Sequence, residues 1–309
     1  YVSPSTLSNA ITELETQLGV KIFERNNKKV IVTSLGREIL SKAKKIKLEV
    51  KNIHELAQHN VDGLSSSLSI GIIPTISPYF LPLVLPKIQK EFSNLQLKIE
   101  EGQSQILTNR VKEGDLDMAI LALPYDVQDL MSFKFWEEDF FWVSHSQNKN
   151  AGKSEIRASE LEHSELMLLE DGHCLKDHIL DACNIDSSSQ YSLKASSLNT
   201  LIQLVKGKMG TTLVPEMALK ELVGNKKDLS ISHLDEPGPH REIALIIRPN
   251  YAGMESVKIL IDFFGNSLRE LDKDERESGT SKISVFCHLS KKVRERNLAV
   301  PSRISITSE

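Results

Sequence analysis

Apolar positions recur in three different rhythms along the 309-residue chain. In "VSPSTLSNAITELETQLG" (2–19), Leu7, Ala10, Ile11, Leu14 and Leu18 keep helical spacing, which predicts a helix with one buried face. Ser3 is a good N-cap, Pro4 suits the first helical position and Gly19 ends the helix. "KIFERNNKKVIVT" (21–33) then reads as two short strands turning around Asn26-Asn27. In "SLGREILSKAKKIKLEVKNIHELAQ" (34–58), Gly36, Ile39, Ala43, Ile46, Val50, Ile53 and Ala57 alternate spacings of three and four. That is a heptad seam, the pattern of a helix that pairs with another copy of itself.

After the polar linker "GLSSSL" (63–68), strand and helix patterns alternate. "LSIGIIPT", "LQLKIEEG", "LDMAILAL", "YSLKAS", "TTLVPEMAL" and "EIALIIRP" contain strands. "PYFLPLVLPKIQKEF", "SQILTNRVKEG", "SLNTLIQLVKGKMG" and "MESVKILIDFFGNSLREL" are helices. This order predicts an α/β fold with mainly parallel sheets and helices on both faces. Ligands in such sheets sit beyond the carboxyl ends of strands, and Thr75, Ser104 and Ser196 fall at strand-to-helix junctions. Each of the three is equally an ordinary N-cap. Residues 271–309 lose the rhythm and are largely polar, which predicts a disordered tail carrying Cys287 as an incidental thiol.

Composition narrows the class. Apolar content of 40% and charged content of 26% are those of a soluble globular chain, and no stretch is apolar and long enough for a membrane span. No secretory signal is visible and Tyr1 replaces a starting methionine, so a lost amino end and a cytoplasmic location are expected. Residues 1–50 carry nine Lys/Arg against five acids, leaving −8 for the rest of a chain whose net charge is −4. A basic module on an acidic body fits a polyanion such as double-stranded DNA. The polar face of the first helix, beginning Ser5, Thr6, Ser8 and Asn9, offers short donors and acceptors to a major groove. Arg25, Lys28 and Lys29 form a basic wing beside it. A simple solvated face remains the alternative for both.

"EDGHCLKDHILDAC" (170–183) holds two of the three cysteines. As one helix, nine residues turn about 180° net and rise about 13.5 Å, so Cys174 and Cys183 face opposite sides. A disulfide needs Cα atoms within about 7 Å, so bonding would require the helix to unwind. Cys174 in the first turn is expected to favour the thiolate, with His173 and Lys176 adding positive charge and Asp177 orienting a donor. Cys183, among apolar neighbours, is expected to be buried and quiet. Spacing alone leaves two unrelated buried cysteines open. Zinc ligation lacks a standard spacing, and a cysteine hydrolase lacks a placed base.

"VSPSTLSNAITELETQLGVKIFER" followed by "VTSLGREIL" resembles the winged helix-turn-helix of LysR-type transcriptional regulators, and "EGDLDMAIL" resembles their effector domain. The match begins at the family's recognition helix, so the helices before it are expected to be missing, and Pro4-Ser5 stands where Gln-Pro is usual. The resemblance implies a partial winged helix-turn-helix at 1–33 and a linker and dimerisation helix at 34–62. It implies a regulatory domain at 66–270 like a periplasmic binding protein, with subdomain one at 66–139 plus 242–270 and subdomain two at 140–241.

"LMLLEDGHCLKDHILDAC", "IGIIPTISPYFLP" and "KASSLNTLIQLVKGKMGTTLVP" are similar to the hydrogen-peroxide-sensing branch of that family. The resemblance implies that Cys174 is peroxidatic and Cys183 resolving. It implies a peroxide pocket of Thr75, Ser104, His173, Asp177 and Arg241, with Ser104 replacing a threonine. The expected function is a peroxide-switched DNA-binding regulator, homodimeric or homotetrameric, reset by a cellular dithiol reductant. It is expected to need no metal or cofactor and not to act as an enzyme. A regulator binding a small metabolite and a thiol peroxidase are the competing readings.

Overall fold

The computed structural model describes residues 3–26, 29–58, 64, 67–186, 193–224 and 227–278, and the chain divides into two compact units at residues 61 and 62. In the first unit α1 (Pro4–Leu18) starts as the sequence predicts. The Ser3 side chain accepts from the Thr6 N–H at 3.2 Å, and Gly19 closes the helix at φ 68°. β1 (Phe23–Asn26) and β2 (Lys29–Val32) pair antiparallel, and α2 (Ser34–Gln58) follows. Gly36 starts that helix against the Ile22 backbone, where an added Cβ would lie 2.2 Å from the carbonyl oxygen. It is a point of close approach rather than part of a seam.

The expected buried face of α1 is corrected by the structure. Leu7, Leu14 and Leu18 are 56%, 43% and 49% exposed. The buried side chain of α1 is instead Glu15, whose carboxylate accepts from Lys21 Nζ at 2.8 Å and from the backbone of Ile22 and Phe23 at 2.8 and 3.0 Å. The Lys21 contact, then the backbone donors, hold its carboxyl down at about 2. One hairpin and the start of a second helix are too few elements to cover an apolar stripe.

The second unit runs through β3 (Ser67–Ile72), α3 (Ser77–Glu91), β4 (Gln96–Glu101), α4 (Ser104–Glu113), β5 (Met118–Leu123) and β6 (Met131–Glu138). It continues with β7 (Phe140–His145), β8 (Glu155–Ile156), β9 (Leu168–Leu169), α5 (Cys174–Ala182), β10 (Lys194–Ala195) and α6 (Leu198–Lys206). β11 (Thr212–Pro215), α7 (Glu216–Leu222), β12 (Leu229–Leu234), β13 (Arg241–Ile247) and α8 (Met254–Ser278) complete it. One sheet has the order β4-β3-β5-β13-β6 and another β11-β7-β12-β8, each with its own apolar core.

The sheets are mixed rather than mainly parallel. β3 is parallel to β4 and β5, whereas β13 is antiparallel to β5 and β6, and β7 is antiparallel to β11 and β12. The cause is that the chain crosses between sheets twice, outward from β6 to β7 and back from β12 to β13. The crossings are pinned together, since Phe140 N–H donates to His240 Nδ1 at 2.9 Å and His233 Nε2 lies 3.2 Å from Asp139. α8 also runs to Ser278, eight residues into the segment expected to be disordered. "LDKDERES" is rich in helix-forming charged residues and extends an amphipathic helix already docked through Val257, Leu260, Phe264 and Leu268. Cys287 lies outside the described residues. No helix among them is long and apolar enough to cross a membrane.

Candidate functional site

The loop into α5 passes Gly172 at φ 95°, a left-handed conformation that glycine adopts without strain. There it rests on Gln103, the N-cap residue of α4. His173 is the N-cap residue of α5 but makes no side-chain capping bond, and Cys183 is the C-cap. α5 straddles the two cores. Cys174 packs in the core of the five-stranded sheet, while Leu175, Ile179, Leu180 and Cys183 pack in the other. At about 100° per residue, positions 174 and 178 share one side and positions 175, 179 and 183 lie round toward the opposite side. Both cysteines are free thiols, 5% and 6% exposed, at the two ends of the helix.

Thr75, Gln103, Ser104 and His173 meet Cys174 around a gap too narrow to admit a water molecule. Arg241 is fully buried behind it. Its Nε donates to Glu138 at 2.7 Å, Nη1 to Thr75 Oγ1 at 3.2 Å and Nη2 to the Thr75 carbonyl at 3.3 Å. Glu138 also accepts from the Met217 N–H at 2.8 Å, so the buried ion pair is well satisfied. These contacts bring Thr75, Ser104, His173, Cys174 and Arg241 together from four separate segments, the loop after β3 and the starts of α4, α5 and β13.

The electrostatics differ from the sequence expectation. Burial pushes the Cys174 thiol up, more than the Ser104 hydroxyl, the Arg241 charge and the Ala122 backbone pull it down. Ser104 Oγ makes no full hydrogen bond, yet is close enough to favour a thiolate. His173 is driven toward its neutral form by burial and so adds no charge here. Lys176 is engaged by Asp171 at 2.5 Å. Asp177 is exposed, lies outside the lining of the gap, and has its carboxyl raised by desolvation. Cys183 is raised to about 12 by burial, which agrees with a quiet thiol. Desolvation thus works against the thiolate expected in the first turn of the helix, and the gap beside Cys174 has no room for a water molecule.

Sequence reasoning passed over Glu138 and weighed His178 only as a zinc ligand, with no place beside Cys174. Glu138 had no local signal. His178, four residues after Cys174, could have been found by helical period alone. At the other unit, Ser5, Thr6 and Asn9 are exposed on α1, Ser8 is half-buried and Lys29 is exposed on β2. Arg25 lies in β1, and Lys28 falls outside the described residues. Ser196 is exposed, and Ser197 supplies the N-cap of α6 instead. Among the described residues no three His, Cys, Asp or Glu side chains are arranged to hold a metal ion.

Residues 62–269 match the family described as "LysR substrate binding domain", and residues 1–37 match "Bacterial regulatory helix-turn-helix protein, lysR family". The chain is similar to the HTH-type transcriptional regulator EstR of Acinetobacter baylyi, 35% identical over 264 residues, which cover 85% of this chain and 87% of that protein. It is similar to a probable hydrogen peroxide-inducible genes activator of Streptomyces viridosporus, 32% identical over 272 residues and 87% of each chain. Among solved structures, a hydrogen-peroxide-bound cysteine-to-serine mutant of Corynebacterium glutamicum OxyR aligns with TM-score 0.66 at 29% identity, covering 99% of this chain and 91% of that one.

Proposed function

Because the chain belongs to the LysR family of bacterial helix-turn-helix transcriptional regulators, we propose that it is a peroxide-responsive regulator switched by a reversible Cys174–Cys183 disulfide. One observation carries the reading: α5 holds one thiol in each of two cores, beside a buried Thr75–Arg241–Glu138 network. A bond between those thiols cannot form without unwinding the helix that separates them. Covalent chemistry at the pair is thereby converted into a change of fold.

The Cys174 thiolate attacks one peroxide oxygen and the O–O bond breaks. The departing hydroxide takes up a proton, and Ser104, Thr75 and Arg241 are the groups nearest to stabilise its charge. The product is a sulfenic acid. Cys183 then attacks the Cys174 sulfur as a thiolate, and the sulfenic hydroxyl leaves as water. In sum, two thiols and one hydrogen peroxide give one disulfide and two waters. A dithiol reductant returns two electrons and restores α5. The remaining partners follow from the amino-terminal unit. The exposed stripe Ile46, Val50 and Ile53 on α2 pairs with a second copy, and tetramers are built from such dimers. Ser5, Thr6, Ser8, Asn9, Arg25, Lys28 and Lys29 face promoter DNA.

The match of residues 62–269 to a family described as a substrate binding domain supports a second reading, a regulator whose body binds a metabolite and whose cysteines are incidental. Mass spectrometry of cleaved peptides after one equivalent of hydrogen peroxide separates the two. The main reading expects the free thiols of the chain to fall from three to one, with Cys174 linked to Cys183. Cys174→Ser should lose the reaction, and Cys183→Ser should stop at sulfenic acid. Three unchanged thiols in the native chain would leave the metabolite reading.

A further inference from the structure

α5 is held to the five-stranded sheet at two points. Cys174 meets the Ala122 backbone near the end of β5, and His178 Nε2 lies 2.7 Å from the Pro124 carbonyl just beyond it. His178 is 2% exposed. The carbonyl can only accept, so Nε2 carries the ring proton and Nδ1 is left bare. Nδ1 has no hydrogen-bond partner. The imidazole is therefore held as one neutral tautomer, at a contact inside the helix that a bond between Cys174 and Cys183 would unwind. We propose that His178 is a positioning residue for Cys174: its ring holds α5 on the end of β5 in the neutral form, and protonation follows its release.

The surroundings oppose a charge on the closed ring. Burial holds His178 down at about 4, helped by the Arg241 cation on β13 and countered by the Pro124 carbonyl and by Asp181 on α5 itself. Arg241 is in turn paired with Glu138. Cys174 beside it and Tyr125, next after Pro124, both have their ionisation pushed up and stay uncharged near neutrality. His173 is lowered by burial in the same sense as His178, and Asp177 is raised and acts in the opposite sense at acid pH. The sign follows from linkage. A histidine held low in the closed state favours closure above its free pKa of about 6.5, and that preference drains away as pH falls toward the closed value. Acid therefore loosens α5 without any oxidant. The contact and its pH dependence stand on this geometry. Only the consequence, faster disulfide closure once sulfenic acid has formed, rests on the peroxide reading.

Native-state hydrogen exchange of the reduced full-length chain, without peroxide, tests the latch. Protection of the amides of residues 178–183, corrected for intrinsic rates, should fall about 30-fold between about pH 7.5 and about pH 5, as expected for a shift from about 6.5 to about 4. The amides of β3 should not follow. His178→Gln keeps an N–H for Pro124 but does not titrate. It should stay close to the native protection at the higher pH and lose most of the pH dependence, keeping only the smaller share from His173. His178→Leu should be about five- to tenfold less protected at the higher pH, the effect of one lost buried hydrogen bond. Flat native protection, or an equal fall in His178→Gln, overturns the proposal. If the leucine variant does not fold, the glutamine variant decides alone. Neither failure touches the peroxide reading, and absence of a Cys174–Cys183 bond leaves the latch standing.

Discussion

Among the described residues, ten of the fourteen exposed large hydrophobic side chains precede residue 62, including Leu7 at 56%, Ile46 at 67% and Ile53 at 65%. The body from residue 67 instead encloses two cores, where Leu107, Phe140, Leu175 and Val205 are fully buried. The elements of the first unit rest on local chemistry: a serine cap, a proline at the first turn and a left-handed glycine. α5 of the body has no side-chain cap at all and is held by burial on two sides. Local signals define an element wherever it is placed, whereas burial defines it only in one arrangement. In the proposed function this difference suits α5 to a switch and α1 to a fixed reading head.

The contrast breaks most visibly at the stripe on α2. If a second copy covers it, Ile46→Asp puts an unpaired charge into the interface on both chains. An unpaired buried charge costs about 3–5 kcal/mol, so the dimer should weaken a hundredfold or more. Sedimentation of both proteins over a range of concentrations reads this directly, and an unchanged dimer would mean that the stripe stays in water.

Within one chain, the same chemical change sharpens the contrast. Leu175→Ala empties a site that is 0% exposed and should cost about 2–4 kcal/mol of the body's stability in urea unfolding. Leu14→Ala removes a side chain that is 43% exposed and should stay within about 0.5 kcal/mol in the monomer. Equal costs would contradict the division of the molecule into a packed body and an open amino-terminal unit.

How far the sequence was legible follows the same division. The cap at Ser3, the end at Gly19, the α/β alternation and the span of α5 are all local or periodic signals, and the structure has them where the pattern puts them. The antiparallel return of β13 is not periodic. It depends on two crossings about a hundred residues apart, as the Phe140–His240 bond shows. Burial of Glu15 was equally hidden, because its partners Lys21, Ile22 and Phe23 come into place only when the chain turns after α1. At the candidate site, residue types pointed to Cys174 and the family resemblance to Arg241, but neither gave the sign of the Cys174 shift. That sign is set by how completely burial excludes water, and no stretch of fourteen residues carries such information.

The smallest effect compares two serine caps of like geometry. Ser3 accepts from the Thr6 N–H, and Ser197 accepts from the Thr200 N–H, each at 3.2 Å. Replacing either by alanine removes the acceptor, leaves one backbone N–H unsatisfied and should cost about 1 kcal/mol. The consequences should nevertheless differ. α6 buries Leu198, Leu201, Ile202 and Val205, so Ser197→Ala should leave it helical to its first turn, with the loss spread over the body as a small drop in unfolding midpoint. α1 buries only Glu15, so Ser3→Ala should fray Pro4–Leu7 locally, seen as faster amide exchange in that turn with no change in the body. Matching fraying in both helices would show that packing does not hold α6 beyond what its cap supplies, and would remove the basis for treating the two units differently.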